Sequence, residues 1–130
     1  MNVIVQDSGF REDDWQRGFA APGAAGPGQG VEISSADEAL LAGLVGAPAV
    51  RIRFASFADG RGFSLARRLR RIGYAGRLRA AGHVLADQYA MARRAGFDEV
   101  EIDAALAERQ PEAHWRARAN WREHDYRSRP

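Results

Sequence analysis

Apolar and polar residues alternate at Val50, Ile52 and Phe54 against Arg51 and Arg53, the period of a strand with one face in a core. The period then lengthens. After the loop 55–62, Leu65, Leu69 and Ile72 recur at helical spacing with Arg67, Arg68, Arg70 and Arg71 around the rest. Ser64 is placed to cap this helix and Gly73 to end it. A short repeat follows: Arg70-Arg71-Ile72-Gly73-Tyr74 precedes a strand over Arg77–Ala80, and 23 residues later Arg93-Arg94-Ala95-Gly96-Phe97 precedes a strand over Glu99–Ile102. Each copy reads as a helix end, a glycine stop, an aromatic plug and a strand. The helix Val84–Ala95 lies between them.

Upstream, Val31–Ile33 is a short strand, and Ser35 with Glu38 forms a capping box that predicts a helix over 36–42, stopped by Pro48. Val3–Val5 predicts a first strand, followed by a polar turn over 7–14 leading to Trp15 and Phe19, a small N-terminal hairpin. Residues 20–30 are almost wholly Ala, Gly and Pro, too poor in apolar surface to offset chain entropy, and predict a flexible loop. Its glycines precede a strand instead of following one, so they are not a dinucleotide-binding turn. Downstream, Asp103 caps a short helix through Arg109, and Pro111 opens a helical tail over 111–130 with Trp115, Trp121 and His124, packed on the domain or on a partner.

The fold class is therefore α/β: the hairpin, then a short βαβαβ parallel unit with right-handed crossovers, then a C-terminal helix, in a single domain over 1–130. Spacing leaves an open sheet and a barrel fragment both open. Exposed edges in so small a unit favour pairing with a second copy, a homodimer.

Composition narrows the chemistry. The 130 residues contain no cysteine, which removes disulfides, thiolate nucleophiles and thiolate-held zinc or iron–sulfur clusters from this chain. All 19 basic residues are Arg, which removes lysine chemistry and leaves a planar fork suited to carboxylates and oxyanions. The net charge of +2 is too small to point to nucleic acid, and Phe57, Phe63 and Tyr74 read as core plugs instead of stacking platforms. No apolar run approaches the roughly 20 residues of a membrane span, and no basic-then-apolar leader is present, so a cytoplasmic protein without membrane contact is expected.

Ligands of parallel sheets bind at the carboxyl ends of strands, which selects the loop from Ser56 to Ser64. Asp59, Gly60, Arg61 and Ser64 there could form an oxyanion site at a helix start, or a tight turn held by an Arg61–Asp59 pair. The segment around Arg79 and His83, with Asp87 and Gln88 one turn into the next helix, could reach the same edge. From Arg61 to Arg94 there are nine arginines against one acid, whereas 95–125 holds eight acids against four arginines. That asymmetry reads either as a binding patch or as internal salt links between the two halves. The histidines at 83, 114 and 124 lack metal-ligand spacing, so neither metal nor cofactor is expected, and no nucleophile–base pair is recognisable.

Phe54-Ala55-Ser56-Phe57-Ala58-Asp59-Gly60-Arg61-Gly62-Phe63-Ser64, Gly73-Tyr74-Ala75-Gly76, Leu78-Arg79-Ala80, Asp87-Gln88 and Gly96-Phe97-Asp98 together resemble the bacterial family called domain of unknown function 934. The resemblance covers about half of the chain. It implies a cytoplasmic protein encoded beside assimilatory sulfite or nitrite reductase and often labelled, on gene neighbourhood, an oxidoreductase of sulfite reduction. Asp59, Gly60, Arg61, Ser64, Arg67, Arg79, Asp87 and Gln88 match the family pattern. Arg77 departs from it by standing where the family has Glu, and the loop 20–30 and the tail after Arg109 look unlike the family. The expected function is an accessory or docking protein for a sulfite or nitrite reductase, with Arg61, Arg67 and Arg79 on an oxyanion or an acidic partner. The competing expectations are a small enzyme using Asp59 or Asp87 at the carboxyl edge and a self-associating module.

Overall fold

The structure, a computed structural model, describes residues 2–124. Among these residues seven strands form one open sheet in the order β2-β1-β7-β6-β5-β4-β3. They are β1 Asn2–Gln6, β2 Gly9–Arg11, β3 Phe19–Ala20, β4 Gly30–Ser34, β5 Ala49–Phe54, β6 Arg77–Gly82 and β7 Glu99–Asp103. The helices are α1 Arg61–Arg71, α2 Tyr89–Ala95, α3 Ala104–Arg109 and α4 Glu112–Arg116. Strands β3 to β7 are mutually parallel, and β1 lies antiparallel to both β7 and β2. The sheet is open, with edges only three and two residues long at β2 and β3.

Strands β4 to β7 follow one another across the sheet without reversal, so right-handed crossovers deliver every connecting helix to the same face. That face carries Val31, Ile33, Val50, Ile52, Leu78, Ala80 and Val100, sealed by Leu65 and Leu69 of α1 and Ala92 of α2. Phe54, Phe63 and Phe97 meet there with ring centroids 4.9–6.4 Å apart. Gly62 is required at this junction because a Cβ would stand 2.4 Å from the Phe54 ring. Ile72, expected in the core, is 47% exposed and stands as the C-cap residue after α1.

Alternation sends the other half of each strand to the opposite face, where the side chains are charged. Glu32, Arg51, Arg79 and Glu99 stand in register across β4, β5, β6 and β7. A parallel sheet normally has both faces covered by helices. Here the loop between β2 and β3 covers the second face: Asp13 reaches Arg79 and Asp14 reaches Arg77. The Phe19 ring lies 4.3 Å from the Arg51 guanidinium and 5.3 Å from that of Arg79. Every buried side-chain nitrogen and oxygen among the described residues has a partner.

The repeat is real and local. Gly73 and Gly96 adopt left-handed backbone, φ 110° and 115°. Tyr74 N donates to Leu69 O and Gly73 N to Arg70 O, and Phe97 N donates to Ala92 O and Gly96 N to Arg93 O, the paired bonds of a Schellman turn. Arg70 and Arg93 even donate equivalently, to Tyr74 O and Phe97 O.

Two helix starts and the chain ends differ from expectation. The Ser35/Glu38 box does not form, because Ser35 Oγ donates to Asp59 across 2.9 Å, and a 3-10 helix over Glu38–Leu44 replaces the expected helix. Ser64 caps nothing, since α1 begins three residues earlier at Arg61. A 3-10 turn at Ala86–Gln88 precedes α2. The expected turn over 7–14 is interrupted at once by β2, which returns at Gly9. Segment 20–30 is a series of hydrogen-bonded turns, with Gly30 N donating to Gly18 O. Asp103 does cap α3, accepting from Leu106 N at 2.8 Å. The final helix divides into α4 and a separate 3-10 turn at Trp121–His124, and the rest of the expected tail, 125–130, lies outside the described residues. Trp115 is buried and donates to Gln110 O. No helix among the described residues is long and apolar enough to cross a membrane.

Candidate functional site

The loop after β5 is held by its own hydrogen bonds and by its neighbours. Asp59 is 9% exposed and ties this loop to the one after β4 through Ser35, with Arg61 Nε 3.6 Å from its other oxygen. Four amides of the loop are engaged within it: Ala58 N on Ser56 Oγ, Asp59 N on Ser56 O, Gly60 N on Ala58 O and Gly62 N on Asp59 O. Gly60 has an ordinary φ of −66°, and Gly62 serves the Phe54 contact. The loop is thus a brace that presents Arg61, whose side chain is 76% exposed.

Arg79 does not join Arg61. It is fully buried in the charged face, with Nε on Glu99 at 2.6 Å, Nη1 on Glu101 at 2.8 Å and Nη2 on Asp13 at 2.8 Å. Arg77 bonds Glu99 and Asp14. Hydrogen bonds from Arg79 hold the Asp13 carboxyl below its usual range despite some burial. Burial opposes ionisation of Glu101, but bonds from Asn2 and Arg79 prevail and lower its pKa as well. Internal salt links between an Arg-rich middle and an acidic final third therefore account for Arg70–Asp98, Arg77–Glu99 and Arg79–Glu101.

Asp87 is exposed and pairs with Arg118 of the tail at 2.8 Å. Gln88 accepts from Leu85 N and donates to Phe57 O, fastening the loop after β5 to the start of α2. Asp87 and Gln88 therefore act in local contacts away from Arg79.

Helical spacing places Arg61, Ser64, Arg67, Arg68 and Arg71 on the outward side of α1. Arg68 pairs with Glu38, whereas Arg67 and Arg71 have no partner among the described residues. They border a groove of about 350 Å³ between α1 and α2, together with Arg70, Arg94, Ala95 and Gly96. Arg70 is engaged by Gly96 O, Tyr74 O, Gly76 O and Asp98, and Arg94 bonds Trp121 O at 3.4 Å. Ile72 after α1 and Met91 on α2 are nearly half exposed.

A larger cavity, about 600 Å³, opens at the carboxyl ends of β4 to β7. Its borders are Ser34 and Asp37 after β4, Phe54, Ala55 and Phe57 after β5, Gly82 and His83 after β6, Asp103, and Leu106 with Arg109 of α3. Glu32, Arg53 and Glu101 come from the charged face, and Ala21 and Pro22 from the loop before β4. His83 is here; Asp59 and Arg61 are not. Phe57, expected as a core plug, is instead 38% exposed and meets the His83 ring edge-on at 5.0 Å. Sequence reasoning missed Arg53 and Arg109, although strand alternation and the Asp103 cap already placed them at the carboxyl edge. Among the described residues no group of three His, Cys, Asp or Glu is arranged to hold a metal ion.

Searches of curated proteins and of solved structures find no match. A comparison with protein families matches residues 30–129, which includes the tail after Arg109 that looked foreign and leaves out the N-terminal hairpin. The braced loop after β5, the Arg face of α1, the carboxyl-edge cavity and both Schellman turns lie within that span, and the chain belongs to the family described as "Bacterial protein of unknown function (DUF934)".

Proposed function

We propose that this chain is a non-catalytic accessory protein of assimilatory sulfite or nitrite reduction, docking through the Arg face of α1 onto an acidic surface of the reductase. The observation that carries this reading is the pair Arg67 and Arg71, one turn apart on α1 and with no carboxylate on either among the described residues. Like charges at that spacing cost a helix about 0.2–0.5 kcal/mol. Elsewhere Arg51, Arg70, Arg77, Arg79 and Arg93 all close onto carboxylates of this chain. An acidic partner would supply the missing counter-charge, and Arg61 and Arg94 extend the same face. The family resemblance supports the reductase as that partner. The absence of cysteine is consistent with it, because thiolate-held iron–sulfur chemistry must then belong to another chain.

The test is co-elution of the purified chain with purified sulfite or nitrite reductase. Association is expected at low ionic strength, with loss in the double variant Arg67→Glu, Arg71→Glu. No association of the unaltered chain at low salt with either reductase would sink the proposal.

A further inference from the structure

Every charged side chain that borders the groove between α1 and α2 is an arginine: Arg67, Arg70 and Arg71 on α1 and Arg94 on α2. Among the described residues no carboxylate borders it. Arg70 is committed, because it donates to three carbonyls and pairs with Asp98, so it forms a fixed part of the wall with its charge already matched. The other three are unmatched. Arg67 and Arg71 have no partner among the described residues, and Arg94 uses only Nε, on the uncharged carbonyl of Trp121.

Burial sharpens the imbalance. Arg67 and Arg94 are half-buried, as are Arg51, Arg77 and Arg93, yet only the latter three close onto carboxylates of the chain. A guanidinium withdrawn from water without a counter-ion leaves unscreened positive potential, and a concave wall focuses it. The carbonyl ends of the two helices lie at the same groove and oppose an anion. They are already closed, since the two Schellman turns occupy Leu69 O, Arg70 O, Ala92 O and Arg93 O, and Arg70 occupies Gly96 O.

Donors without acceptors select an acceptor-rich anion. A phosphoryl group suits two walls of guanidinium, because its three oxygens accept from several forks at once, whereas a planar carboxylate matches a single fork. Arg67 and Arg71 stand one turn apart, about 6 Å along α1, and Arg94 faces the groove from α2. The groove holds about 350 Å³, at the lower end of small-molecule sites. Three unmatched cations over that span call for more than one phosphoryl group.

We propose that this groove binds a diphosphate group, as free pyrophosphate or as the diphosphate of a nucleotide, held by Arg67 and Arg71 on one wall and Arg94 on the other. It takes up the same unmatched charge of Arg67 and Arg71 on which the docking reading rests, but it is tested on the chain alone. Failure to bind a reductase therefore leaves it standing, and failure to bind pyrophosphate leaves docking standing. The full chain is titrated with pyrophosphate in metal-free buffer at about 20 mM salt, with inorganic sulfate, citrate and ADP as separate arms. Calorimetry and amide shifts follow binding.

Pyrophosphate is expected to saturate with a Kd below about 1 mM, to shift amides around Arg67, Arg71 and Ala95, and to bind at least about tenfold tighter than sulfate or citrate. Arg67→Ala, Arg71→Ala and Arg94→Ala should each weaken it at least about fivefold, with partial recovery in Arg67→Lys. Arg11→Ala removes the same charge from the edge strand β2 and should leave the Kd within about twofold. None of these four arginines is buried, and matching thermal melts will verify that the variants fold. ADP bound as tightly as pyrophosphate assigns the diphosphate to a nucleotide and weaker ADP assigns it to the free anion, either of which supports the site. The proposal is overturned by no saturation up to about 10 mM, by sulfate or citrate binding as tightly as pyrophosphate, or by an undiminished affinity in the variants at Arg67, Arg71 and Arg94.

Discussion

Arg79 illustrates how a side chain can match a family pattern and still be unavailable to a ligand. Three carboxylates converge on it in a fully buried setting, so removing the guanidinium leaves Glu99 and Glu101 buried beside each other with only Arg77 and Arg51 as counter-charges. Arg79→Ala is expected to lower unfolding free energy by about 3–5 kcal/mol, whereas Arg61→Ala on the exposed loop should change it by less than about 0.5 kcal/mol. Urea denaturation of the two variants checks the contrast.

The same network sets an acid limit. Asp13 and Glu101 have folded-state pKa values below their ordinary 3.8 and 4.5, so the folded chain binds fewer protons than the unfolded one in that range. Their contribution is fully present above about 4.5 and is lost as pH falls through the lowered folded values. The urea midpoint should accordingly be flat from pH 7 to 5 and fall below about 4.5, a profile measured by titrating denaturation curves against pH. Strand alternation made the side of the sheet for Arg79 legible. Its partner Asp13 was not, because 66 residues separate them and nothing local in either segment encodes the pairing.

Among the elements, the helix ends at Gly73 and Gly96 were readable, whereas of the expected serine and aspartate caps only Asp103 forms. A glycine with left-handed backbone stops a helix by local sterics alone, so Gly73 and Gly96 announced themselves. N-caps compete with tertiary partners, and Ser35 loses its capping role to Asp59, which only the folded sheet brings near. The two Schellman turns also separate backbone strain from crowding. At Gly73 an added Cβ meets nothing within 4 Å, so Gly73→Ala should cost about 1–2 kcal/mol from conformation alone. At Gly96 the Cβ would stand 2.6 Å from Arg70 Cγ, displacing a guanidinium that bonds Gly96 O, Tyr74 O and Gly76 O. Gly96→Ala is expected to be the more damaging of the two in thermal melts.

Taken whole, the molecule has one helical face, one ionic face and a cavity where both meet the carboxyl edge. The parallel unit and the short C-terminal helix were legible because each rests on local periodicity and turn residues, whereas the hairpin was legible in its first strand and not in its turn. The site was only partly so: His83 borders the cavity, while Arg53, Phe57 and Arg109 join it through topology. Net charge of +2 conceals the arrangement on which the proposed docking rests, because the internal pairs cancel and leave Arg67 and Arg71 outward on α1. Attraction through such a surface pair would be sensitive to ionic strength, since screening acts over about 10 Å at 0.1 M salt.

The decisive measurement is the dissociation constant of this chain for purified sulfite or nitrite reductase, determined at about 20 mM and about 500 mM salt for the unaltered chain and for Arg67→Glu, Arg71→Glu. Docking on an acidic surface predicts binding at low salt that weakens at least tenfold at high salt and is already lost at low salt in the double variant. Binding indifferent to both salt and charge reversal, or no binding at low salt, would contradict it.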